Sequence, residues 1–182
     1  MSKLFVISGS SGVGKGTVIN NFLNKHPEFK LSISCTTRNK REGEIHGVNY
    51  FFLSQDEFKE CIKNDEFLEW AEFSGNCYGT KKAFVEKCLN NGENLILEID
   101  TKGALNVKKI MPEAVLIFIA PPSVEELEAR LRGRHTETEE AIQKRLASIK
   151  SEIENSKYYD YTVINDTVEN AVKKIEEITT RN

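Results

Sequence analysis

Residues 3–17, K-L-F-V-I-S-G-S-S-G-V-G-K-G-T, restrict this chain more than any other stretch. An apolar run of strand length ends in glycines and a lysine, and helical sequence follows. The pattern G-x-x-x-x-G-K in that setting predicts a strand, a phosphate-binding loop and a helix start. Gly9, Gly12 and Gly14 are expected to let the main chain wrap closely around a polyphosphate with its N–H groups turned inward. Ser10, Ser11, Val13, Gly16 and Thr17 complete the cradle. Lys15 supplies a point charge for the β- and γ-phosphates, and the helix adds its N-terminal dipole. The competing reading is a plain glycine-rich turn, which neither the preceding strand nor the following helix requires.

Gly16 stands where this loop usually carries the Ser or Thr that ligates Mg²⁺, and Thr17 comes one place later. The G-K-G-T version resembles that of nucleoside monophosphate kinases, where water fills much of the metal's shell. Mg²⁺ is therefore expected with ATP, and no residue is assigned as its direct ligand.

A chain of 182 residues can bury one core and carry small appended lobes, but not two full domains. With 25 Lys and Arg against 28 Asp and Glu the formal charge is -3, so no overall positive field recommends nucleic acid or an anionic membrane. Cys35, Cys61, Cys77 and Cys88 form no C-x-x-C pair and read as reduced, small hydrophobes. No apolar run nears the roughly 20 residues of a membrane span. The first apolar run enters the glycine loop, with no signal-cleavage site between. A cytoplasmic protein is expected; its oligomeric state is not readable.

Periodicity predicts a helix from Thr17 to about Asn24, a strand at Leu31–Ser34 and a small strand at Tyr50–Leu53. Ser54 with Glu57 reads as a capping box for a helix to about Asn64. Residues 67–73, F-L-E-W-A-E-F, alternate like a strand, and S-G-N-C-Y-G-T after them reads as a turn. The segment from Ser34 to about Lys82 is strand-rich and too small for a core of its own. A helix over about 81–91, a buried strand ending at Asp100, a helix from Thr101 and a second buried strand at Ala114–Ala120 follow. Ser123 with Glu126, and Thr136 with Glu139, cap two helices, to about Arg132 and about Ser156, that form a candidate lid. Tyr161–Ile164 and a helix over 168–179 close the chain. Strands alternating with helices predict an α/β fold, a parallel sheet with helices on both faces, plus the strand-rich insertion and the helical lid.

The motifs S-C-T-T-R-x-x-R-x-G-E-x-x-G-x-x-Y-F-F, F-L-E-W-A-E-F-x-G-N-x-Y-G-T, E-I-D-x-x-G and P-P-S-x-E-E-L with G-R-x-T-E-T-E resemble guanylate kinase in family order along nearly the whole chain. The resemblance implies transfer of the γ-phosphoryl group of ATP to GMP. It also implies a core of residues 1–33, 84–121 and 147–182, a GMP-binding lobe at 34–83 and a lid at 122–146. Carried over by motif, Arg38, Arg41, Tyr50 and Tyr78 clamp the GMP phosphate, while Ser34, Glu69, Thr80 and Asp100 contact guanine. Arg130, Arg134 and Arg145 meet ATP and the transferring group, and Asn165 lies near the adenine.

Each assignment has a plainer alternative. Arg38 and Arg41 could be solvated loop charges, Tyr50 and Tyr78 core aromatics, and Arg132 is read as a surface residue paired with nearby Glu. Glu98 could reach a metal-bound water or an internal partner. The histidines carry no role. A non-catalytic guanylate-kinase-like protein-binding module is the main rival function, and the complete glycine loop with Lys15 speaks against it. A kinase for another monophosphate, or a hydrolase, is disfavoured by the carboxylate at Glu69 and by the lack of a water-activating motif.

Overall fold

Strand β1, Leu4–Gly9, shows why the sheet is covered on both sides. Leu4 and Val6 point to one face, Phe5 and Ile7 to the other, and all four are buried. The computed structural model describes residues 2–10, 12–73, 75–132 and 139–182, and only the backbone at Arg130, Leu131, Ala141, Lys144 and Arg145. After β1 come α1 (Lys15–Lys25), β2 (Phe29–Leu31), β3 (Cys35–Thr36), β4 (Phe51–Phe52), α2 (Gln55–Lys63), β5 (Phe67–Phe73), β6 (Asn76–Lys81) and α3 (Lys82–Asn90). Then follow β7 (Asn94–Glu98), α4 (Thr101–Ile110), β8 (Val115–Ala120), α5 (Val124–Arg132), α6 (Glu139–Asn155), β9 (Tyr161–Ile164) and α7 (Val168–Arg181).

Five strands form a parallel sheet in the order β2-β7-β1-β8-β9. On one face α1 and α7 bring Val18, Ile19, Phe22, Val172 and Ile175 against Phe5, Ile7, Ile117 and Ile119. On the other, Val85 and Cys88 of α3 and Ala104 and Val107 of α4 cover Leu4, Val6, Leu95 and Leu97. Each large aliphatic or aromatic side chain so buried is worth about 1.5–3 kcal/mol relative to exposure. The α/β reading therefore holds. No helix among the described residues is long and apolar enough to cross a membrane.

The insertion departs from expectation in three places. The segment read as a turn supplies a strand: Gly75 takes φ 76°, and residues 76–81 pair antiparallel with β5. Its polar, glycine-punctuated sequence hides a ladder made by main-chain groups. Of the strand expected at 31–34 only Leu31 belongs to one, because the chain leaves the parallel sheet there and joins a second sheet, order β4-β3-β6-β5, at Cys35. That second sheet also has a small cluster of its own, with Phe58 against Phe67 at 4.5 Å between ring centroids and Cys35 buried beside them. Burial pushes the Cys35 thiol up to about 11. The capping box of α2 is present, with the Glu57 N–H donating to Ser54 Oγ and the Ser54 N–H to Glu57 Oε2.

Helices α5 and α6 pack through Leu127, Ile142, Leu146 and Ile149. Ser123 Oγ caps α5 by accepting from the Glu126 N–H at 3.0 Å. The expected cap at Thr136 lies outside the described residues. Arg132 is engaged by Glu128 and Glu139, in keeping with its surface reading.

Candidate active site

The loop after β1 is shaped by glycines acting in two ways. Gly12 and Gly14 take φ of 84° and 89°, a region closed to most side chains. Gly9 does not; it is needed because a Cβ there would stand 2.5 Å from the Ile119 carbonyl oxygen of the neighbouring strand. Helix α1 begins at Lys15 without a side-chain cap and with no acid in its first turn. Its leading N–H groups are therefore left for an anion. Lys15 makes no ion pair with another described residue and lines a cavity of about 230 Å³. Val13 and Ser10 are buried, and the Ser10 hydroxyl has no partner among the described residues; Thr17 is exposed, and Ser11 lies outside the description.

The far wall of the cavity is built on β5. A register shift between Phe67 and Glu69 breaks the alternation expected there. Phe67 enters the small cluster, Leu68 the main core, and Glu69 is 7% exposed on the cavity wall, whereas Trp70 points out. Bulges re-aim side chains in this way. Thr80, opposite Glu69 in the ladder, donates its hydroxyl to Glu69 Oε1 at 2.7 Å. Burial raises the Glu69 carboxyl to about 7; Asp100 adds to the rise, and the Thr80 bond opposes it. Asp100 caps α4 by accepting from the Gly103 N–H at 2.7 Å, and with Ser34 it lines the same cavity.

Arg38 is held rather than solvated. It donates to Glu44 Oε1 at 2.7 Å and lies over the Tyr50 ring, 5.4 Å from its centroid. Glu44 keeps the guanidinium charged, and Arg38 in turn holds the Glu44 carboxyl below its ordinary range. Tyr50 and Tyr78 meet edge to face at 6.2 Å and both line the cavity. Burial pushes the Tyr50 hydroxyl up. The Arg41 side chain is exposed and makes no ion pair with a described residue. Asn165 is 5% exposed, and its amide donates to the Val13 carbonyl at 2.7 Å, so it braces the loop from within.

The structure thus brings Lys15, Ser34, Tyr50, Glu69, Tyr78 and Asp100 to one cavity, with Thr80 behind Glu69 and Arg38 beside Tyr50. Arg134 and the side chains of Arg130 and Arg145 lie outside the described residues. Sequence reasoning missed Glu44, whose signal was its place in the R-x-G-E motif, and Ser32. The Ser32 hydroxyl is buried on the cavity wall without a partner among the described residues, a relation no local pattern announces. No group of three or more His, Cys, Asp or Glu that could hold a metal occurs among the described residues. Glu98 is the carboxylate set against the loop, its Oε1 3.8 Å from where a Cβ of Gly16 would lie.

The family model described as guanylate kinase matches residues 1–182. A guanylate kinase of Clostridium perfringens (strain 13 / Type A) is 54% identical over 175 residues, covering 96% of this chain and 81% of that one. One from Synechococcus sp. (strain CC9311) is 49% identical over 172 residues, covering 94% and 90%. The crystal structure of guanylate kinase from Anaplasma phagocytophilum aligns with a TM-score of 0.81 at 32% identity, over 99% of this chain and 85% of that one. A match along the full chain, relatives of this similarity and a shared fold lead to one conclusion: this chain belongs to the guanylate kinase family.

Proposed function

We propose that the protein moves the γ-phosphoryl group of ATP to GMP, giving ADP and GDP. The observation that carries this reading is a single cavity lined by both the loop lysine, Lys15, and the buried carboxylate of Glu69. Guanine presents N1–H and N2–H₂ donors side by side, and an ionised carboxylate accepts both. Adenine would set a lone pair against it. Ser34, Thr80 and Asp100 complete the base contacts, and Arg38, Arg41, Tyr50 and Tyr78 hold the GMP phosphate. Because Glu44 and Tyr50 already fix Arg38, its remaining donors meet the phosphate with little ordering cost.

The loop from Gly9 to Thr17 binds the phosphates of ATP, with Asn165 supporting it. Arg130, Arg134 and Arg145 compensate charge on ATP and on the group in transit, a task suited to a cation that stays protonated. A GMP phosphate oxygen attacks the γ-phosphorus in line. The bond to the β–γ bridging oxygen breaks, and ADP leaves with the electron pair. The attacking phosphate is already anionic, so no side chain need remove a proton. Glu98 would hold waters of the Mg²⁺ that accompanies ATP, an ion that neutralises phosphate charge.

Residues 34–83, as the GMP-binding lobe, and 122–146, as the lid, close over the core of 1–33, 84–121 and 147–182 and exclude water. The substrates are two small nucleotides, neither nucleic acid nor membrane is a partner in this reading, and the proposed location is the cytoplasm. ADP release measured with GMP, AMP, CMP and UMP in turn is the test. Turnover with GMP far above the other three is expected, and equal or no turnover with GMP overturns the proposal.

A further inference from the structure

Helix α4 carries a glycine that its backbone does not need. Gly103 sits in the first turn and is not among the residues with positive φ. Alanine would favour the helix there. What glycine provides is space: a Cβ on Gly103 would stand 2.5 Å from Glu69 Oε2, 3.2 Å from Glu69 Cδ and 3.4 Å from Asp100 Oδ1. The three nearest atoms all belong to the two carboxylate side chains, whereas at Gly9 the obstacle is main chain. The Gly103 N–H also donates to Asp100 Oδ1 at 2.7 Å.

We propose that Gly103 is a positioning residue for guanine recognition, its bare Cα seating the Glu69 carboxylate while its N–H orients Asp100. The inference rests on Glu69 being the group that reads the base. Glu69 has little freedom to step aside, because it is buried, bonded to Thr80 at 2.7 Å and set by the β5 bulge. A methyl group at position 103 therefore displaces the carboxylate from the Thr80 bond and from the geometry guanine requires. The phosphate loop, which binds the other substrate, is untouched.

The test is steady-state kinetics on Gly103→Ala, on Glu69→Gln, on Glu69→Asp, which is shorter by one methylene, and on Gly103→Ala combined with Glu69→Asp. Gly103→Ala is expected to lower kcat/KM for GMP by about tenfold or more, with KM for ATP retained and any fall in thermal midpoint relieved when Glu69 is shortened. The shorter acid should recover part of the loss, so that the pair is better than the product of the single changes. Wild-type GMP kinetics in Gly103→Ala, or parallel losses in GMP use, ATP use and thermal midpoint, overturn the proposal. If Glu69→Gln itself keeps wild-type efficiency with GMP, the reading of Glu69 fails instead. Should Gly103→Ala not fold, its combination with Glu69→Ala decides: the proposal expects that pair to fold, and an equally unfolded pair overturns it.

Discussion

Glu69 and Thr80 face each other across the β5–β6 hairpin, and the threonine hydroxyl donates to the carboxylate at 2.7 Å. Burial, with Asp100 nearby, lifts this acid from an ordinary 4.5 to about 7. Between those values the folded chain binds the proton more tightly than the unfolded one. Glu69's contribution to stability is then complete below about pH 4.5 and lost as pH rises through about 7, a cost on the order of 3 kcal/mol. Glu69→Gln removes that cost. Its thermal midpoint should exceed the wild type's increasingly from about pH 5 to about pH 8, while kcat/KM for GMP falls about tenfold or more. A constant difference across that range would contradict the assignment.

Guanine's two donors favour the ionised acid, so GMP binding should expel the Glu69 proton. GMP affinity in titration calorimetry should rise with pH up to about 7. The GMP phosphate, with a second pKa near 6, contributes to that rise in any variant. The additional part should vanish in Glu69→Gln, and identical pH profiles for the two proteins would count against base reading by this side chain.

The sequence disclosed the phosphate loop because glycines and a lysine at fixed spacing have few other uses, and it disclosed the parallel sheet because buried strands read as apolar runs. It concealed β6, whose polar, glycine-containing sequence pairs with β5 through a main-chain ladder. The β5 bulge was equally hidden: F-L-E-W-A-E-F alternates in the sequence, yet the strand paired with it shifts register and buries Phe67, Leu68 and Glu69 together. The contact between Glu69 and Gly103 depends on how α4 lies against β5, which no local pattern encodes. The motif assigned Arg38 to the phosphate clamp, but no local pattern encodes the way Glu44 and Tyr50 hold it.

Lys15→Ala should keep the fold, since the lysine makes no ion pair with a described residue. Turnover should fall by about 10²–10³-fold or more, the scale for losing one preorganised charge-stabilising group. GDP formation at the wild-type rate by a folded variant would refute the role given to the loop.

Asn165→Ala leaves the Val13 carbonyl without its 2.7 Å donor in a buried setting. A loss of about 1–3 kcal/mol in stability is expected, together with a higher KM for ATP and an unchanged KM for GMP. A rise in the GMP value alone would mean that Asn165 does not act through the loop.

The most direct measurement of the central claim is phosphorus NMR of the protein mixed with ATP, Mg²⁺ and GMP. GDP and ADP should appear in equal amounts, without inorganic phosphate, and replacing GMP with AMP should leave ATP largely intact. ADP accompanied by inorganic phosphate and no GDP, or ATP unconsumed in the presence of GMP, would contradict the account.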